Sequence, residues 1–398
     1  MVAFVNQFTP FILKKCLFKL KFAYTIFLVS PKEWSVPEKK EVLIYDSPST
    51  GVIATFLKDY NFTSLSFRGE SINVPCMLRA FFTSNFWKGK IIKAYTETFI
   101  QIVSPKVIIT FIDNNDRFYE LSKRFPNTKT IFIQNGVRTE LGDIFGYLKK
   151  SKNYHVDYMF VFGAAIGRKY KTYINGSVEV IGSFKNNSVR KINVKKNDSI
   201  VFISQYREKS KDNIIAYQNA IPITYDEFYS FERTVIKFLA KWCIENNKHL
   251  KIAGVSGKKE GPETDFYKKI LSDFKYELIP RLDVYSSYKL IDTAEIVVFV
   301  DSALGYEAIG RGKKVAAFTC KGSVFGKSYN FGWPSKLPDN GPFWTNNLDE
   351  KKFKHIMDYI KSLSDKNWNK ICQNYSNEIM AFDPGNRRLA SVLDQLVL

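Results

Sequence analysis

Histidine is almost missing from this chain, at three in 398 residues, and cysteine is nearly as scarce at five. The histidines (155, 249 and 355) stand apart, with no HExxH and no carboxylate spacing around them that would build a metal cage. The cysteines (16, 76, 243, 320 and 372) are widely separated and odd in number, so they suggest neither a CxxC knuckle nor a disulfide framework. A reducing cytoplasm fits that usage. No uninterrupted apolar run reaches the roughly 18–20 residues that a membrane span needs. The nearest, Phe8 to Val29, is interrupted by Lys14, Lys15, Lys19 and Lys21, and no small-residue cleavage site follows it. Being basic and aromatic, this stretch suits either the first helix and strand of the fold or a segment lying on an anionic inner leaflet. The expected location is therefore cytoplasmic, with peripheral attachment to the inner face of the membrane as an option.

Several motifs are absent as well. No GxGxxG follows a strand, which argues against a nicotinamide dehydrogenase, and no GxSxG elbow is present. There is no DxD triplet, the usual manganese site of single-domain glycosyltransferases, so the chemistry is expected to need no metal and no cofactor. Gly322 to Ser328 (GSVFGKS) is one residue short of the phosphate loop, and YNFGWP follows it where a helix should start, which excludes an ATPase of that type. Negative charge is also in short supply: 39 acidic residues face 59 basic ones, a net charge of +20. The lysines are dispersed, and no RNP, zinc-finger or helix-turn-helix signature accompanies them. A general basic surface, suited to phosphorylated substrates or an anionic membrane, is favoured over a dedicated nucleic-acid reader.

What the chain does have is apolar material for two cores. Hydrophobic residues make up 45%, with 34 Phe and 22 Tyr. Strand-like and helix-like stretches alternate throughout. In the first half the strands read as Glu41 to Asp46, Phe62 to Phe67, Lys106 to Asp113, Thr130 to Gln134, Val156 to Gly163 and Val178 to Gly182. One long helical stretch runs from about Pro75 to Val103, and a shorter one from Arg117 to Arg124. Ser183 to Asp198 is polar and lysine-rich, like a linker, and the alternation then restarts. Ser199 to Ser204 and His249 to Gly254 read as strands, Tyr225 to Asn246 and Glu263 to Phe274 as helices. The clearest unit is Asp292 to Phe318: an apolar β-branched strand, the polar pair Asp301–Ser302, a helix stopped by Gly310 and Gly312, and a second strand. A helical tail from about Asp349 to Leu398 breaks near Asp383–Pro384–Gly385. This alternation predicts α/β architecture with parallel sheets covered by helices on both faces.

In such sheets ligands bind beyond the strand C-termini, and a helix N-terminus there offers free N–H groups to a phosphate. Ser302 and Ala303 are placed to hold that phosphate, and Glu307 to accept from ribose hydroxyls; the alternative is a buried unit with a capping Asp301 or Ser302. Ser204, Gln205 and Arg207 end another strand. Arg207 could neutralise a phosphate bidentately or sit in a surface ion pair. In the N-terminal half the corresponding polar residues are Asp46, Asp113, Asn114, Asn115, Gln134 and Asn135. Asp113, and after it Asp46, suits a general base or a nucleophile. The alternative for Asp113 is structural, with the cluster serving only to cap the next helix through Asn115 or Asp116.

DSALGYEAIGRGKKV, together with TFIDNNDRFYEL, IFIQNGVR, VIGSFKNN and FISQYR, resembles GT-B glycosyltransferases, and among them the bacterial surface carbohydrate biosynthesis family related to capsule and lipopolysaccharide transferases. The resemblance covers roughly residues 40 to 390. It implies two Rossmann-like doubly wound domains facing across a cleft: an acceptor-binding domain (1–183), a linker (184–198), a nucleotide-sugar domain (199–375) and a helical tail (376–398) able to pack back on the N-terminal domain. It further implies a nucleotide-sugar donor, with CMP-Kdo as one candidate, and a glycan or lipid-linked glycan acceptor bound near Asn114, Asn115, Gln134 and Asn135. The loop from Gly322 to Trp344 would cover the donor, with Tyr329, Trp333 or Trp344 as stacking candidates or as core. Two rivals stand beside this reading: a two-domain nucleotide-sugar epimerase, and a non-enzymatic polyanion-binding protein.

Overall fold

The computed structural model describes residues 29–66, 70–192, 197–209, 213–218 and 221–397. The basic aromatic stretch from Phe8 lies outside them, Val29 excepted. The chain divides into two compact units, Met1–Ile112 with Glu120–Phe132 and Asp394–Leu398, and Asp113–Tyr119 with Ile133–Leu393.

Two six-stranded sheets carry the fold. The strands of the first are β1 (Val42–Ile44), β2 (Phe62–Ser64), β3 (Val107–Thr110), β4 (Lys129–Ile133), β5 (Tyr154–Val161) and β6 (Ile174–Val180). The second contains β7 (Ser199–Ile203), β8 (His249–Ala253), β9 (Glu277–Ile279), β10 (Ile296–Phe299), β11 (Val315–Phe318) and β12 (Trp344–Thr345). The order is β2-β1-β3-β4-β5-β6 in the first sheet and β9-β8-β7-β10-β11-β12 in the second, with parallel pairing. Both orders are doubly wound, and in the second the winding reverses between β7 and β10. The central strands are buried along their whole length, which is why β3 (VIIT), β7 (SIVFI) and β10 (IVVF) read as unbroken apolar runs rather than alternating ones. The α/β expectation is met.

Some helices differ from the sequence reading. The expected helix over 75–103 is three: α1 (Val74–Phe81), α2 (Ser84–Trp87) and α3 (Ile91–Val103). Asn73 starts the first by accepting from the Cys76 N–H at 3.1 Å. Gly89, at φ 71°, turns the chain between the second and third, and Ser104, left-handed at φ 49° before Pro105, ends the third. The stretch expected as a helix over 117–124 is only a 3-10 turn followed by one helical turn. An antiparallel hairpin, Ile214–Gln218 with Ile221–Thr224, was not expected.

The second unit is built on α4 (Ala164–Lys171), α5 (Phe184–Ser188), α6 (Tyr225–Glu245), α7 (Pro262–Ile270), α8 (Ser286–Thr293) and α9 (Ala303–Gly310). A capping box of Thr224 and Glu227 starts α6. The polar stretch after Ser183 begins with α5, and the buried Arg311 guanidinium anchors it by donating to Asn186 and to the Val189 carbonyl. The helical tail is present as α10 (Glu350–Ser362), α11 (Asp365–Ile379) and α12 (Arg387–Val397). Its break at 380–386 is the one the sequence announced; a second lies at Leu363–Ser364, where Ser364 caps α11. Close backbone approach seats the segment before α12. A Cβ on Gly163 would lie 2.4 Å from the Glu378 carbonyl oxygen, and one on Gly182 1.9 Å from that of Ala381. In the first unit, the Tyr60 hydroxyl donates to Asp394 at 2.5 Å, and the Lys106 ammonium to the Val397 carbonyl.

Candidate functional site

Beyond the carboxyl ends of β7, β8 and β10, where the second sheet reverses its winding, lies a cavity of about 170 Å³. One buried water needs only ~10–15 Å³, so there is room for a group of several heavy atoms. Ser204 enters from β7, Gly254 and Val255 from β8, and Ser302, Ala303 and Leu304 from the turn between β10 and α9. The sequence explains that turn. The apolar strand stops at Asp301, Ser302 adopts an extended conformation, and Gly305 lets α9 lie against its own strand, since a Cβ there would meet the Phe299 ring at 2.1 Å. The Ser302 hydroxyl makes no capping bond. Helix geometry leaves the first N–H groups of α9 without intrahelical acceptors, and the residues carrying them line the cavity. Lys185 and Arg281 bring positive charge to the same space.

Glu307, one turn into α9, also lines the cavity and is buried. Its Oε1 accepts from the Ser183 hydroxyl at 2.5 Å and its Oε2 from the Tyr288 hydroxyl at 2.9 Å. Burial, and then this carboxylate, hold the Tyr288 phenol well above its usual pKa, so it stays a donor. The Ser204 hydroxyl donates to Glu263 at 2.7 Å, and Glu263 accepts as well from the Val255 and Ser256 N–H groups, which fixes the β8 side of the wall.

Ser302, Ala303, Glu307 and Ser204 therefore come together. Gln205 and Arg207 do not join them. The Gln205 N–H points to Glu232 at 3.4 Å and its carbonyl accepts from Tyr229, while Arg207 is exposed and not part of the cavity wall. Of the aromatics in the covering loop, Trp344 is buried and stacks on Phe331, and Trp333 packs on Phe145 with the Lys169 ammonium 5.2 Å from its ring. Tyr329 packs with Phe325 and Phe228. None of the three lines the cavity.

Asp113, the leading expectation for a catalytic base, is fully buried. Arg138 grips both its oxygens, the Asn135 N–H donates to Oδ1 at 3.0 Å, and the Tyr170 hydroxyl donates to Oδ2 at 2.5 Å. A carboxylate has about four acceptor positions, and four donors fill them. The geometry leaves no acceptor position on Asp113 open and ties it to Arg138. Burial works against the Arg138 cation, but Asp113 more than offsets it and raises the guanidinium above its usual pKa. The capping alternative is answered too: the helix-side bond is made by Asn115, which accepts from the Arg117 N–H at 3.2 Å. Gln134 is spent on its neighbours, donating to the Gly136 carbonyl and accepting from the Phe162 N–H, both at 2.9 Å. The Asn114 carbonyl accepts from Tyr147. Asp46, in the first unit, is buried at the end of β1 with φ 115°, a conformation few non-glycine residues adopt.

Sequence reasoning missed a buried cluster beside the Ser204 strand end. Lys321 is fully buried, donates to Asp301 Oδ2 at 2.8 Å, and lies 3.7 Å from the centre of the Phe228 ring. Glu232, on the apolar face of α6, accepts from the Tyr267 hydroxyl at 2.7 Å, and burial pushes its carboxyl up to about 7. The signal existed: Glu232 falls at the spacing of Phe228, Val235 and Leu239, where only a core residue belongs. Arg281 carried no comparable sign.

Residues 131–397 match a family described as "putative O-antigen biosynthesis protein". The chain belongs to this family. No curated protein matches the sequence. Among solved structures, S. aureus MnaA with UDP is similar at TM-score 0.52 and 12% identity, covering 90% of this chain and 97% of that one. The Neisseria meningitidis UDP-GlcNAc 2-epimerase bound to UDP-GlcNAc gives 0.51 and 12%, with 89% and 100% covered. Its counterpart from Methanocaldococcus jannaschii gives 0.51 and 11%, with 89% and 99% covered. At such identities the likeness shows the fold, a GT-B type pair of parallel sheets. The membership in surface carbohydrate biosynthesis implied by the sequence blocks is borne out.

Proposed function

We propose that this O-antigen family member is a glycosyltransferase that moves a sugar from a nucleotide-activated donor to a growing cell-surface polysaccharide or lipid-linked glycan, without a metal ion. The observation that carries the reading is the cavity at the winding reversal. It combines the free end of α9 with Lys185 and Arg281, so that donor phosphate charge meets N–H groups and two cations in one concave site. Glu307 is already held by Ser183 and Tyr288, and each of its oxygens retains a further lone pair for a ribose hydroxyl. On the acceptor side Asp46 is the general-base candidate, while Asp113 keeps Arg138 in place.

Thermal shift with CMP, UDP, GDP and dTDP tests the donor assignment. A ligand at a hundred times its Kd stabilises the native state by about 2.7 kcal/mol, so the right base should stand out, and a response to CMP would support CMP-Kdo. No response to any of the four would remove the donor site. A second reading, a nucleotide-sugar epimerase, is supported by the whole-length likeness to the UDP-GlcNAc 2-epimerase fold. Product analysis separates the two: a transferase releases nucleotide only when an acceptor glycan is present, whereas an epimerase converts the sugar without one. Polyanion binding that collapses with salt, in the absence of any nucleotide response, would point instead to the non-enzymatic alternative.

A further inference from the structure

We propose that the outer surface of α1 and α2 is a docking face for an anionic phospholipid bilayer. The usual orientation of a surface helix is inverted in α1. Its small residues Cys76 and Ala80 face inward and are fully buried, while Leu78 and Phe81, with Phe82 at its C-terminal cap, project outward at i, i+3 and i+4. Leu78 is 63% exposed, Phe81 41% and Phe82 84%, and Trp87 on α2 is 69% exposed. These are no scattered single residues. The Phe81 ring lies 5.5 Å from Phe82, 5.2 Å from Phe86 and 4.7 Å from Trp87, so the rings form one cluster held at the surface. A folded protein left in water would be expected to turn such a helix the other way, because contiguous exposed aromatic surface is costly.

Charge identifies the occupant. Between Val74 and Thr96 the chain carries Arg79, Lys88, Lys90 and Lys93 and no acidic residue. All four are exposed. Arg79, Lys88 and Lys90 make no ion pair with a described residue, and only Lys93 faces acids, Glu97 and Glu120, at 3.9 and 3.8 Å. An apolar aromatic ridge flanked by exposed cations, three of them without an ion pair among the described residues, matches an interface in which rings enter the headgroup region and cations meet anionic lipid. A protein partner with an apolar groove would satisfy the rings but leave the surrounding positive charge without a counterpart. This face lies outside the α9 cavity, so lipid docking does not depend on the nucleotide reading.

Co-sedimentation of the full chain with vesicles tests it, using phosphatidylcholine alone and phosphatidylcholine mixed with phosphatidylglycerol. The protein should bind the anionic vesicles, and binding should weaken as salt is added. Phe82→Ser with Trp87→Ser should lower partitioning at least ~tenfold. Replacing Lys88 and Lys90 by Glu should lower it by roughly fivefold or more for each site. The charge-matched control, Lys258→Glu with Lys259→Glu on exposed positions before α7, should leave binding within about twofold of wild type, a site preference that diffuse charge would not give. Unchanged thermal melting of each variant shows that the fold is intact. Equal loss in the control, or full binding by the Phe82→Ser, Trp87→Ser variant, would overturn the proposal. So would a wild-type dimer that the same pair of substitutions converts to monomer while vesicles bind nothing.

Discussion

Two clusters of polar residues sit at the ends of parallel strands in this protein, and they differ in what they leave open. Around Asp113 every acceptor position is filled from within, by Arg138, Asn135 and Tyr170. Around Ser302 the opposite holds: the hydroxyl caps nothing, Ala303 and Leu304 at the start of α9 line a cavity, and two cations join them. Strand-end position alone therefore does not mark a binding site. What distinguishes one is hydrogen-bonding capacity left over after folding, and a buried group that has none left is part of the scaffold.

The contrast can be broken most forcefully at Asp113. Its replacement by Ala strands a buried guanidinium, which should cost on the order of 3–5 kcal/mol of stability, read as a lowered denaturant midpoint. Nucleotide binding by the surviving folded fraction should be unchanged.

Glu232 comes next. Its folded pKa is raised from the ordinary value to about 7, so the folded state holds its proton more tightly than the unfolded one. The favourable contribution is complete below about pH 4.5 and is lost as pH rises toward 7. Glu232→Gln should remove that dependence and leave the variant relatively more stable at neutral pH, on the order of 3 kcal/mol at most. Melting curves across that window check it, and parallel pH profiles for variant and wild type would refute the assignment.

Glu307→Gln keeps the shape but weakens two charge-assisted bonds from Ser183 and Tyr288. A loss of about 1–3 kcal/mol is expected. Nucleotide affinity should fall as well, which Asp113→Ala should not cause. Ser302→Ala lies at the small end. Its hydroxyl holds no capping bond, so stability should move by no more than ~0.5 kcal/mol, and calorimetry should find its effect in nucleotide affinity alone.

Much of this was legible in the chain itself. The β10–α9–β11 unit announced its bounds through an apolar run, the Asp301–Ser302 pair and Gly310–Gly312, because local signals and tertiary packing agree there. The tail break at Asp383–Pro384–Gly385 was equally plain. The split of residues 75–103 was less so, since Gly89 was submerged in a stretch with continuous helical spacing. Partner choice was the least legible. Arg138 stands at the end of IFIQNGVR, 25 residues from Asp113, and nothing in the spacing says that the two meet. Lys321 likewise shows no local sign that it is buried against Phe228 and Asp301. Such pairs are made by the order of strands in a sheet, which no short window of sequence encodes.

The claim on which the rest depends is that the open end of α9 receives the donor phosphate. Ser302→Asp addresses it most directly, because an acidic residue at a helix start supports the helix while repelling an anion from it. Nucleotide titrations followed by thermal melting should show the wild-type protein stabilised and the variant, folded with an equal or higher melting temperature, unresponsive. A variant that nucleotide stabilises as strongly as wild type would contradict the account.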